Sequence, residues 1–118
     1  MGLMAEYVER SGILIRAKQP YYDWINKLDP EEPLNLKDHP IKNVYLIDSI
    51  EEEEEPEAII ERFYEVIFAE ELFGLWTDEN DWPQDRSVKL FNEWYDWEII
   101  DMAFDIFDED ELDESEEW

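Results

Sequence analysis

Nearly all of the charge on this chain sits in its second half, and that limits what it can fold into. Residues 51–118 hold 27 acidic side chains against three basic ones, Arg62, Arg86 and Lys89, whereas residues 1–50 hold eight acidic and six basic. The formal net charge is −26. Charge at this density opposes compaction, and chains that combine it with a shortage of apolar side chains stay disordered. Six Trp, six Tyr and six Phe act against that outcome, because disordered chains are poor in aromatics and each buried ring removes a large apolar area from water. The expectation is a folded domain with a crowded acidic surface and a salt-dependent stability. At 118 residues the chain is long enough for one core and too short for two.

Several function classes drop out at once. There is no Cys, which excludes disulfides, thiolate metal sites and thiol nucleophiles. No apolar run approaches the roughly 20 residues that span a bilayer. Residues 1–10 lack a basic region followed by an apolar stretch, so a secretory signal is not expected and a cytoplasmic location is the default. Nucleic acid and anionic membranes are disfavoured partners by repulsion, and basic proteins and cations are favoured.

Residues 11–18 alternate, with Ile13, Ile15 and Ala17 on one side and Leu14, Arg16 and Lys18 on the other, which predicts a strand. Pro20 suits the first turn of a short helix over 21–28, and the three prolines of 29–40 predict a loop. The continuous apolar run 43–48 predicts a central strand. Five glutamates, Glu51 to Glu55, precede Pro56. A helix starting before them would carry Pro56 in its interior at about 3 kcal/mol, so the helix is predicted to begin at Pro56 and run to about Trp76. Its apolar face is Ile60, Phe63, Tyr64, Ile67, Phe68, Leu72 and Leu75. Residues 77–86 read as a turn, with Asp85 capping a further helix over 86–96. Residues 97–107 alternate and predict one half-buried strand with Ile100, Met102, Phe104 and Ile106 inward. The acidic stretch 108–118 is expected to be a disordered tail beyond a single domain over 1–107.

This is an α+β pattern. In the order β-α-β-α-α-β, a three-stranded sheet with helices packed on one face is the simplest way to bury these stripes. Arg16 and Lys18 on the first strand, and Asp101 and Asp105 on the last, predict that these two strands adjoin and pair across their solvent face. The stretch from Phe68 through Thr77-Asp78-Glu79-Asn80-Asp81-Trp82-Pro83-Gln84-Asp85-Arg86 to Phe91 and Trp94, followed by an alternating strand, is similar to a family of small acidic bacterial proteins with no assigned function. The resemblance covers roughly residues 58–107 and implies the fold without implying an activity.

Chemical motifs are sparse. Asp78, Asn80 and Asp81 are oxygen donors of the kind that bind Ca²⁺ or Mg²⁺, but an EF-hand loop counted from Asp78 has Trp82, Pro83 and Lys89 where a ligand, Gly and Glu belong. A polar turn satisfying its own backbone donors is the preferred reading. Trp82, Pro83 and Arg86, with Asp78 and Asp81 beside them, form a candidate interaction patch, against a core role for Trp82 and a local ion pair for Arg86. Among 35 acidic residues close carboxylate pairs arise by chance, the single His39 lies in a Pro-flanked loop, and the three glycines stand apart, so no catalytic residue, metal or cofactor is assigned. The reading is a non-enzymatic acidic module that binds a basic protein partner. Its alternatives are a DNA mimic, whose charge is comparable to about one turn of duplex, and a small carboxylate-based or divalent-metal enzyme. A flat acidic face is expected of a module, and a pocket with convergent carboxylates of an enzyme.

Overall fold

Alternation over residues 11–17 does form a strand. The computed structural model, which describes residues 2–109, runs it as β2 over Arg10–Ala17. In these residues the other elements are β1 (Leu3–Tyr7), α1 (Gln19–Leu28), β3 (Lys42–Asp48), α2 (Pro56–Leu75), a 3₁₀ turn (Glu79–Asp81), α3 (Val88–Trp94), β4 (Tyr95–Ile100) and β5 (Phe104–Asp108). The fold is α+β, with a three-stranded antiparallel sheet in the order β3-β2-β4 and a two-stranded antiparallel sheet of β1 and β5. The expected order β-α-β-α-α-β thus gains a strand at each end of the chain. The tail is expected from residue 108, but Asp108 ends β5 opposite Leu3, and residues 110–118 lie outside the described residues.

Ile13, Ile15 and Ala17 of β2 are buried against Tyr21 and Tyr22 of α1, Ile59, Ile60, Ile67, Phe68 and Leu72 of α2, Phe91 of α3 and Tyr95 of β4. Rings dominate the centre, with Tyr95 5.1 Å from Phe91, 5.4 Å from Tyr21 and 5.5 Å from Phe68. Burying a large apolar side chain contributes about 1.5–3 kcal/mol, and this cluster is where the aromatic content offsets the charge. The sheet's other face keeps Val44 and Leu46 half-exposed.

Several expectations change in the fold. The run 43–48 is an edge strand, since β2 lies between β3 and β4. Its apolar content is not a sign of burial on both faces, because Val44 and Leu46 point outward. The helix begins at Pro56 as its proline requires and ends at Leu75. The following helix is shorter than 86–96, because Ser87 and not Asp85 caps it, its hydroxyl accepting from Leu90 N at 3.2 Å. Tyr95 then leaves the helix to pair with Ala17.

The largest change is in the last strand, which is two. Gly12 pairs with Ile100 and Tyr7 with Phe104, so residues 8–11 on one side face residues 101–103 on the other. One strand carries an extra residue, a bulge that bends the ribbon. Glu9 takes the left-handed backbone this needs, at φ 57°. Val8 N donates to Ala103 O at 3.1 Å and Ala103 N to Arg10 O at 3.2 Å across the bend. Along β4 the odd positions Tyr95, Trp97 and Ile99 pair with Ala17, Ile15 and Ile13 on the core face, so the even set expected to point inward is on the opposite face from Ile100 onward, Ile100 pairing with Gly12. In β5 its members Phe104 and Ile106 pair with Tyr7 and Ala5. Met102 is exposed by 50%, Phe104 by 57% and Ile106 by 67%.

β2 and β4 do adjoin. The basic residues meet earlier partners than Asp101 and Asp105, with Arg16 3.1 Å from Glu98 and Lys18 3.9 Å from Asp96. Register explains the correction, because Arg16 lies opposite Asp96 while Asp105 belongs to the ribbon beyond the bulge.

Candidate functional site

The residues singled out at 78–86 form a tied-down turn. Trp82 is 5% exposed in the core, and its indole donates to Trp76 O at 2.7 Å. Asp78 Oδ1 accepts from Asn80 N at 3.0 Å, and Asp81 Oδ2 accepts from the Trp76 indole at 2.9 Å. The Trp24 indole donates to Asp81 O at 3.0 Å, joining the turn to α1. Arg86 donates to Pro83 O at 2.7 Å and lies 5.7 Å from the centre of the Trp82 ring. Among the described residues, no group of three or more His, Asp or Glu is placed to hold a metal ion. The turn brings its five candidates together, and apart from the Trp24 indole their hydrogen-bond partners lie within residues 76–86. His39 contributes its backbone, its carbonyl accepting from Tyr22 Oη at 2.7 Å.

A cleft of about 600 Å³ opens where the acidic loop before α2 meets the bulge. Ile50, Ile59 and Ile99 form its floor, Tyr7 and Met102 one wall, and Glu51, Glu52, Glu54 and Asp101 its rim. Ser11 holds the two sides together from within the core. Its hydroxyl donates to Asp101 O at 2.8 Å and accepts from Ile50 N at 3.0 Å, so it joins the bend to the loop with both bonds satisfied. Glu54 pairs with Arg62 at 3.3 Å, and among the described residues Glu51, Glu52 and Asp101 have no ion-pair partner. Tyr7 also belongs to the ribbon face that carries Leu3, Ala5, Phe104 and Ile106, with its ring 5.8 Å from that of Phe104. The apolar floor thus runs on to an exposed apolar strip. The acidic face is grooved where a flat one was expected of a module, and its carboxylates stand on the rim in contact with water.

A second cleft, of about 430 Å³, lies between β3 and the C-terminal half of α2. Here Glu71 is buried, 3% exposed, one helical turn from Ile67 and adjacent to Leu72 on the inward stripe of α2. Its carboxylate Oε2 accepts from Asn43 Nδ2 at 2.7 Å and from the Tyr45 hydroxyl, while its backbone carbonyl accepts from the Tyr21 hydroxyl. Burial, followed by the Glu71 hydrogen bond and charge, pushes the Tyr45 phenol far above its ordinary value. Burial and then the Glu71 charge do the same for Tyr21, and burial with the neighbouring Tyr21 and Glu71 charges for Tyr95. The Tyr95 hydroxyl, buried in the ring cluster, has no hydrogen-bond partner among the described residues. Sequence reasoning passed over Glu71, although its position four residues after Ile67 and three after Phe68 puts it on the buried stripe.

No protein family, curated protein or solved structure matches the chain. No helix of the described residues is long and apolar enough to cross a membrane.

Proposed function

We propose that this protein is an acidic interaction module that engages a basic partner in the groove between the 49–56 loop and the β4–β5 bend. One observation carries the reading: Glu51, Glu52 and Asp101, free of ion pairs among the described residues, surround an apolar floor that continues on to the strip of Tyr7, Phe104 and Ile106. Such a surface suits an amphipathic segment, with apolar side chains on the floor and Lys or Arg at the rim. The charge of −26 speeds the encounter with a basic partner and repels a second copy of the chain. Glu51, Glu52 and Asp101 are exposed to water at the rim, where they can meet a cationic side chain as it docks.

Capture from native lysate at low and moderate salt tests the reading, with the wild type beside Glu51→Gln/Glu52→Gln/Met102→Asp. A basic protein held by the wild type and lost by the triple variant is the expected result. Retention that the variant leaves unchanged, or that duplex DNA alone displaces whatever the state of the groove, overturns the groove in favour of diffuse charge or of DNA mimicry.

A further inference from the structure

Glu71 is nearly removed from solvent and still lines an open cleft, together with Glu70. Its two side-chain donors both converge on Oε2, and Oε1 accepts no hydrogen bond from the described residues. No Lys, Arg or His pairs with it among those residues. A carboxylate taken out of water without a cation is costly, and two neutral donors on one oxygen leave that charge in place. The cleft lacks a positive charge bearing N–H donors, and Ile41, Val44 and Leu75 give it apolar walls.

We propose that this cleft binds a primary alkylammonium, its N–H groups on Glu71 Oε1 and its carbon chain along Ile41, Val44 and Leu75. Glu70, exposed at the mouth, adds to the attraction without being buried. A metal ion fits less well, because the walls are apolar and the carboxylate offers one open oxygen. The site is independent of the groove at the other end of α2, since Ile59 and Glu71 are about 18 Å apart along the helix axis. The same ammonium chemistry is found on a free amine and on a lysine side chain.

The test is a titration of the ¹⁵N-labelled full chain with n-butylammonium at constant ionic strength, following the Asn43 side-chain amide and the backbone around residues 43–45 and 70–74. Saturable shifts confined to these signals are expected, with at least tenfold weaker responses to tetramethylammonium, which has the charge without N–H, and to sodium. Glu71→Gln keeps an acceptor for Tyr45 and Asn43 but removes the charge, and is expected to abolish saturation. Gly74→Leu places a side chain in the open space beside the cleft, where a Cβ meets nothing within 4 Å, and is expected to do the same. If Glu71→Gln does not fold, Gly74→Leu decides the matter. A parallel arm with Nα-acetyl-lysine methylamide assigns the source, with tighter saturation by either probe supporting the site. Shifts that do not saturate, an equal response to tetramethylammonium or sodium, or undiminished binding by Gly74→Leu overturns it.

Discussion

β2 with β4, and β1 with β5, are two lengths of one antiparallel ribbon with different fates. The first length has Ile13, Ile15 and Tyr95 sealed under three helices, while the second exposes Leu3, Phe104 and Ile106 to water. Composition does not separate their last strands, since β4 and β5 both intersperse apolar and acidic side chains. The bulge between them does. It turns the second length away from the helices, and a two-stranded ribbon with no layer behind it is marginal on its own. Apolar side chains in that position are available to a partner rather than to the core. The comparison teaches that one antiparallel ribbon can be sealed in a core at one end and open to water at the other.

Alkali is expected to have the largest effect, and to act through the core that backs the first length. Tyr21, Tyr45 and Tyr95 are raised by burial, so the folded state retains protons that the unfolded chain releases near pH 10. Their contribution is fully present below about pH 10 and is lost as pH rises beyond it, at about 1.4 kcal/mol per pH unit for each phenol still protonated. Tyrosinate absorbance and circular dichroism should change together in one cooperative step. Ionisation of these phenols well before the loss of structure would separate them from the core.

Side-chain truncation sharpens the contrast. Phe91→Ala removes a fully buried ring and is expected to cost about 3–5 kcal/mol in urea unfolding. Phe104→Ala and Ile106→Ala, on the exposed strip, are expected to cost less than about 1 kcal/mol while weakening capture of the basic partner. Comparable losses at the two ends would break the comparison.

A smaller effect is expected at the bulge. Glu9→Gly relieves a left-handed residue and should leave stability unchanged or raise it by up to about 1 kcal/mol, whereas the β-branched Glu9→Val should lower it by about 1–2 kcal/mol. Equal stabilities for the two variants, measured by thermal or urea melts, count against a bend set by Glu9. Least of all is the ion pair on the open face. A double-mutant cycle on Arg16 and Glu98, both substantially exposed, is expected to give about 0.2–0.5 kcal/mol, and a coupling several times larger would mean that this face is more sheltered than its exposure indicates.

Much of the scaffold is legible from spacing and from two prolines. Pro20 and Pro56 mark helix starts because each can occupy a first turn, where its missing N–H is not needed. The neighbouring placement of the two strands is legible in the basic residues Arg16 and Lys18 on one and the acidic residues on the other. Their actual partners, Glu98 and Asp96, depend on register. The groove was not legible. Part of its rim is visible as Glu51, Glu52 and Glu54, but its floor joins Ile50, Ile59 and Ile99 from three separate stretches, held by a buried Ser11 that looks like any other polar residue in a strand.

By itself the sequence determined the class of fold, the central helix, the first strand and the concentration of acid in one half, because each rests on local backbone preference, side-chain period or a sum of charges. Tertiary structure decided which face of the last strand is inside. A period of two identifies two faces of a strand without saying which one meets the helices, and along β4 it is the face of Tyr95, Trp97 and Ile99. It also decided that Glu71, one glutamate among many in the chain, sits in the core with Tyr45 and Asn43. The cost of burying a charge depends on what surrounds it, and those neighbours come from β3, more than 25 residues away along the chain.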